Sequence, residues 1–427
     1  MGWHRVLAYV LLFGFPDFKL YQVHLNYLAL AVPFFLTFIG LEYLVARKNG
    51  KTYFKFNDSI TNLSVGIAER LLDMFTVGLF YFVYDYLYRH FAIFDIKSSV
   101  LLWVALLICT DFIWYWYHRL AHEVTVFWCA HVVHHQSEEF NYTVSARITV
   151  FQAFIRTGFW AILPVIGFPP AMITSMLLVH GLYPFFIHTR TIGKLGILEY
   201  ILVTPSHHRV HHASNPQYLD KNYGDVFIIW DKLFGTFVKE EEEPVYGLTK
   251  PLESNSFLWQ HFHFILEMLY SARQAKGWRN KWRIVFGKPD NVDPGARKIL
   301  EEKFLLRNPH ITEAPKLFNY VLWQIVATLI VLFSFLLLEH YVPVFIQVCV
   351  TLLILLTLIN CGAIMEQKKW VFYLEYARYL VLCLAGYYVW PHPAFLCAAA
   401  IIMITAFYFQ SHLKEHYLRL VYGYPRS

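Results

Sequence analysis

Charge is scarce in this chain. Only 15% of its 427 residues are Asp, Glu, Lys or Arg, against 57% hydrophobic and 19% aromatic. That excludes an ordinary soluble domain and points to several membrane spans. Thiols are few as well. Cys109, Cys129, Cys349, Cys361, Cys383 and Cys397 are scattered through or beside apolar stretches, and none forms a CxxC pair. Neither a disulfide framework nor a thiolate metal site follows from such a pattern. The formal net charge of +6 is modest and is read through membrane topology; no nucleic-acid partner is expected. Internal repeats and low-complexity tracts are lacking, and no cleavable signal peptide is expected. Val6 to Phe15 is apolar, but no small-residue cleavage site follows and Pro16-Asp17 breaks the run.

Apolar runs at about Tyr27–Val45, Leu71–Leu87, Val100–Tyr117, Leu317–Leu338, Val344–Ile364, Val371–Val389 and Ala394–Phe409 read as spans. Ile148–Ile166 and Ala171–Ile187 flank Gly167-Phe168-Pro169-Pro170, a breaker that predicts a helical hairpin, spanning or re-entrant. Basic residues cluster in Arg47–Asn57, beside Glu366 (Lys368, Lys369) and in the tail (Lys414, Arg419, Arg426), whereas the loops near Glu339–Pro343 and Trp390–Pro393 lack Lys and Arg. Alternating the spans puts the basic segments on one side, which the positive-inside rule makes cytoplasmic. The stretch from about His188 to Pro315 is polar and mixed and reads as a cytosolic cap, its run Lys239-Glu240-Glu241-Glu242-Glu243 as solvated surface. The expected fold is thus an all-α polytopic membrane protein. It has N-terminal spans in 1–98, a core in 99–250, a cap and linker in 251–316 and a C-terminal bundle in 317–427.

Against this background stand three histidine clusters, His118-x-x-x-His122, His131-x-x-His134-His135 and His208-x-x-His211-His212. Spacings of three and four share one helical face, so each cluster can aim two or three imidazoles at one point. All three fall on the side assigned as cytoplasmic. Eight imidazoles are too many for one ordinary site and suit two metal ions. Without thiolates, iron, zinc or copper fit better than magnesium or calcium. His188 and His207 are further ligand candidates, and His180, mid-span, reads as a packed or supporting histidine. The isolated His4, His24, His90, His310, His340, His392, His412 and His416 are expected to cap or snorkel, and His261 and His263 to be surface or interfacial.

Asp111 precedes His118 by seven residues and shares roughly its helical face. A carboxylate within a span is costly and usually functional. It either orients a ligand imidazole or makes a buried hydrogen bond to Tyr or Trp. Glu123 follows His122, but a His-Glu-x-x-His zinc-protease motif fails because position 126 is Val. Glu123 orients a ligand, accepts a cofactor amine or is a surface residue; the spacing leaves the three open. Phe112–Tyr117 and Tyr183–Phe186 read as either lipid-tail groove or interfacial packing.

Zinc in such a site would support hydrolysis of lipid esters. Non-haem iron with open positions would activate dioxygen and oxidise an unactivated C–H bond. A site at the bilayer surface suits a lipid whose tail stays in the membrane.

The clusters, together with Asn141-Tyr142, Phe186-Ile-His188-Thr189, Leu198-Glu-Tyr-Ile, Thr204-Pro-Ser-His-His-Arg-Val-His-His212, Asp220-Lys-Asn-Tyr-Gly224, Ile229-Trp-Asp-Lys-Leu-Phe-Gly-Thr-Phe237 and Val245-Tyr-Gly-Leu-Thr249, resemble the membrane fatty acid hydroxylase superfamily. Within it, Glu123 and the Asp220–Phe237 block resemble the alkylglycerol monooxygenase family. That resemblance implies a di-iron oxygenase using O2 and tetrahydrobiopterin to hydroxylate the ether carbon of an O-alkylglycerol, which collapses to a fatty aldehyde and a glycerol. It implies metal ligation by His118, His122, His131, His134, His135, His208, His211 and His212, with His188 and His207 as additions, and a pterin-related or geometric role for Glu123. The membrane would be the endoplasmic reticulum in a eukaryote or the inner membrane in a bacterium. The alternative within the superfamily is a sterol or fatty acyl hydroxylase or desaturase with another electron donor.

Overall fold

The computed structural model describes residues 26–304 and 315–422. His4, His24, His310, Arg426 and the run Val6–Phe15 lie outside the described residues. All regular structure among the described residues is helical, apart from two isolated bridges, Leu202 with Phe227 and Ala213 with Tyr246. The chain forms two compact units, one of Val32–His310 and one joining residues up to Ala31 with those from Ile311 onward.

Among the described residues, six helices are long and apolar enough to cross a membrane: Tyr27–Lys48, Val100–Glu123, Pro170–Ile187, Phe318–Leu337, Val344–Met365 and Pro393–Arg419. The shortest has 18 residues and spans about 27 Å, close to a hydrocarbon core of about 30 Å. The protein is therefore an integral, multi-pass membrane protein. The runs Leu71–Leu87 and Val371–Val389 are helical too, but charged and tyrosine side chains dilute them, and neither is among the six. Ile148–Ile166 differs from the expected hairpin arm: it breaks at Ala161 into two short helices.

In the Val32–His310 unit the helices are α1 (Ala31–Lys48, most of which belongs here), α2 (Phe56–Phe91), α3 (Val100–Glu123), α4 (Thr125–His131), α5 (Val150–Trp160), α6 (Ile162–Ile166), α7 (Pro170–Ile187), α8 (Pro205–His211), α9 (Ile229–Phe234), α10 (Phe257–Gln274), α11 (Trp278–Phe286) and α12 (Ala296–Lys303). The hydroxyl of Ser99 caps α3 by accepting from the Leu102 amide at 3.3 Å. The α6–α7 turn needs glycine. Gly167 has φ +125°, and a Cβ there would lie 2.0 Å from the carbonyl oxygen of Phe94. Close approach lets the Phe94 and Ile93 amides donate to Ile166 (3.1 Å) and Val165 (2.9 Å). Below the histidine-bearing end, Tyr84, Leu106, Tyr117, Trp160, Leu163, Phe168, Met172, Ile173 and Met176 form one packed core. Tyr117 is thus core rather than groove. This core fixes α3 against α7, so the histidines at their ends share one depth.

The second unit holds α13 (Pro315–Leu337), α14 (Val344–Met365), α15 (Val371–Val389) and α16 (Pro393–Tyr422). Its interior carries a buried ion pair, Arg378 to Glu375 at 2.8 Å. Arg378 also donates to Gln324 (2.9 Å) and Thr357 (3.1 Å), tying three helices together. A charge within a span is tolerated when satisfied in this way.

Candidate metal centre

The three clusters and His188 converge into two groups. His118, His122, His131, His135 and His211 form one; His134, His188, His208 and His212 form the other. The separation arises locally. His131 ends α4, and the following 3-10 turn Val132–His135 sends His134 and His135 to opposite sides. On α8 the three-residue step turns His211 toward the first group, and the four-residue step keeps His208 and His212 together in the second.

The rings are held from behind by the main chain. Nδ1 of His118 donates to the Tyr223 carbonyl (2.8 Å), that of His134 to Arg147 (3.3 Å), that of His188 to Pro184 (2.5 Å) and that of His211 to Lys221 (3.0 Å). A carbonyl can only accept, so each Nδ1 carries the proton and each Nε2 presents a lone pair. The Nε2 atoms face one another: His118 and His131 are 3.0 Å apart between Nε2 atoms, His131 and His135 3.1 Å, His134 and His188 3.2 Å, His188 and His208 2.9 Å, His208 and His212 3.2 Å. His134 and His188 both turn a lone pair inward, and two lone pairs at that distance repel unless a cation joins them. Nε2 of His122 and of His211 are buried without a hydrogen-bond partner, as donor atoms awaiting a metal would be.

Burial, and then the neighbouring imidazoles, hold His134, His135, His208 and His212 well below the ordinary histidine range. Burial alone brings His188 down to about 4. The rings are accordingly neutral near pH 7 and free to ligate.

The carbonyls behind His118 and His211 belong to one loop, and its shape explains the Asp220–Phe237 block. Asp231 accepts from the Tyr223 and Gly224 amides at 2.7 and 2.8 Å and from Thr236 at 2.6 Å. Asn222, in the left-handed region at φ 55°, donates to the carbonyls of His207 (3.1 Å) and Val238 (2.8 Å). Arg209 grips Glu240 at 2.6 and 2.7 Å and donates to the carbonyls of Thr189 and Ile192. It thereby ties the third cluster to the segment after His188. Glu240 is therefore not mere solvated surface.

Several expectations are corrected by position. His207 lies outside both groups. Its Nδ1 accepts from the Thr204 amide at 3.3 Å, closing the cap of α8. Asp111 does not meet His118. Its carboxylate accepts from the amides of Val226 (2.8 Å) and Phe227 (3.0 Å), from Trp230 Nε1 (2.8 Å) and from His180 Nε2 (3.0 Å). It holds the loop that supplies Tyr223, and so acts on the ligand set only through that loop. His180 also contacts Asp225 at 3.0 Å. Glu123 meets no histidine; it accepts from Arg119 Nε at 2.9 Å with a partly exposed side chain. His261 and His263 are buried rather than superficial. Glu42 was not anticipated. This buried carboxylate of α1 accepts from the Tyr142 amide at 2.7 Å and bonds to Thr189, the neighbour of His188. It is a lone carboxylate in an apolar run, the pattern that singled out Asp111.

The fatty acid hydroxylase family model matches residues 103–236, which contain both histidine groups. Alkylglycerol monooxygenase of Homo sapiens is 33% identical over 389 residues, covering 88% of this chain and 86% of that protein. The Danio rerio enzyme of the same name is 32% identical over 407 residues, with coverages of 91% and 90%. That of Xenopus tropicalis is 34% identical over 392 residues, with coverages of 88% and 86%. No solved structure gives a significant match. Two convergent imidazole groups at one end of a helical membrane core, with relatives matched along nearly their whole length, place the chain in the alkylglycerol monooxygenase family of fatty acid hydroxylases, as a membrane oxidoreductase.

Proposed function

We propose that this chain is a di-iron monooxygenase that cleaves the ether bond of alkylglycerols with O2 and a reduced pterin. His118, His122, His131, His135 and His211 hold one iron, and His134, His188, His208 and His212 the other. Iron bound there supplies dioxygen activation and the oxidising power to insert one oxygen atom into a C–H bond. In overall balance, an alkylglycerol with O2, two electrons and two protons gives water and a hydroxylated ether carbon. That hemiacetal then breaks its carbon–oxygen bond to leave a fatty aldehyde and a free glycerol hydroxyl.

The chain's own residues set the conditions. Main-chain carbonyls fix the ligand tautomers, and burial excludes water from both groups. Phe140 lies stacked over His188 with ring centroids 5.5 Å apart, walling the second group. Glu123, at the partly exposed end of α3, is the residue assigned to pterin contact. The basic segments and the histidine groups support a cytoplasmic-facing site.

The observation that carries this reading is the convergence of ring nitrogens within two imidazole groups, in a chain of this family. The test is protein produced under iron-replete conditions, assayed for metal and for aldehyde released from a 1-O-alkylglycerol. About two irons per chain, with aldehyde formed only when tetrahydrobiopterin is supplied, supports it. Two zinc ions with ester hydrolysis, or full turnover with a protein reductant and no pterin, overturns it.

A further inference from the structure

Arg147 is almost completely buried, at 2% exposure. Among the described residues its guanidinium hydrogen bonds go to neutral oxygens: Nε to the Val133 carbonyl (2.7 Å), Nη1 to Asn62 Oδ1 (2.8 Å), and Nη2 to Gln136 Oε1 (2.6 Å) and Gln260 Oε1. Its own carbonyl accepts from His134 Nδ1. Gln136 in turn donates to the Gln260 carbonyl at 2.9 Å. One side chain thus clasps the second cluster at the Val133 carbonyl and the Gln136 side chain, on both sides of His134 and His135. It anchors that segment to α2 through Asn62 and to α10 through Gln260.

The segment's position makes this matter. Residues His131–His135 serve both groups, His131 and His135 the first and His134 the second. The third cluster is shared in the same way, and it is clamped by Arg209 against a carboxylate, Glu240. Arg147 instead bonds four neutral oxygens, with Asp58 acting on it electrostatically. A guanidinium fork makes four contacts where a side-chain amide could donate two hydrogens, so no neutral residue could hold the segment at the same points.

We infer that Arg147 is a positioning residue for both histidine groups, acting through the backbone segment they share. This rests on the reading that the two groups hold iron.

Two variants of the full chain in detergent test it. Arg147→Gln removes the charge and two of the clasping bonds; bound iron is expected to fall several-fold from two per chain, with elution and helicity as in the parent. Asn62→Asp keeps an acceptor for Nη1, since Ser137 beside it is a hydroxyl able to donate to a carboxylate, and is expected to retain two irons. Retention of two irons at parental affinity in Arg147→Gln overturns the inference. If Arg147→Gln does not fold, Arg147→Lys, which keeps the charge and loses the fork, decides: two irons at parental affinity there overturns it as well. A parent protein that binds no iron sinks the underlying metal reading instead, so the two failures are distinct.

Discussion

His134 and His135 are adjacent in the chain, yet they face different groups, with ring planes at 89° and centroids 5.4 Å apart. The 3-10 turn that carries them is therefore the hinge on which two separate ligand sets are built.

Substituting either one removes a ligand from one group only. His134→Ala is expected to lower the metal content of the group containing His188, and His135→Ala that of the group containing His118. Each should leave about one ion per chain and reduce turnover by more than about 100-fold, since even supporting residues cost 10–100-fold. Metal analysis beside aldehyde assay checks this; equal loss of both ions in both variants would contradict the partition.

Asp111→Asn should be far more damaging to stability than to composition. The carboxylate accepts four hydrogen bonds, and an amide would turn a donor toward one of those donors. A loss of about 3 to 5 kcal/mol is expected, the cost of breaking a buried charged pair. Denaturation in detergent measures it, and a change below about 1 kcal/mol would show that the loop is held by other means.

Acid should destabilise the protein through histidines that never touch metal. Burial brings His261 down to about 4 and His263 down to about 3 in the folded chain, against about 6.5 when unfolded. Between those values the unfolded chain binds more protons, so stability rises with pH there. The contribution is fully present above about 6.5 and is lost as pH falls from there toward 4 and then 3, each group adding up to about 1.4 kcal/mol per pH unit. Replacing both residues with Gln should flatten the stability profile in that window.

Glu123→Gln should leave metal content and fold intact. Its ion pair with Arg119 is partly exposed, and such pairs contribute about 0 to 1 kcal/mol. The KM for reduced pterin should rise while the KM for lipid stays. A variant with the parent's pterin dependence would free Glu123 from the cofactor role.

The helical membrane fold and the eight clustered histidines were legible because hydropathy and three-and-four spacing are local properties of the chain. Their division between two groups was not, because it depends on how a short 3-10 turn splays neighbours and on which face of α8 meets which helix. His188 and His207 show the same limit from opposite directions. His188 has no partner nearby in sequence, yet Nε2 atoms of His134 and His208 lie beside it. His207 adjoins a ligand cluster, yet the helix start at Thr204 uses it as a cap. Asp111 was correctly marked as unusual, but its partners Val226, Phe227 and Trp230 come from a loop more than a hundred residues later.

Four of the imidazoles lean on peptide oxygens instead of on carboxylate side chains. An acceptor of that kind survives any single amino-acid replacement at its own position. The aim of these rings is thus written into the course of the polypeptide and can drift only when a whole loop changes shape, which makes the centre tolerant of side-chain change around it and intolerant of insertions between Lys221 and Asp231.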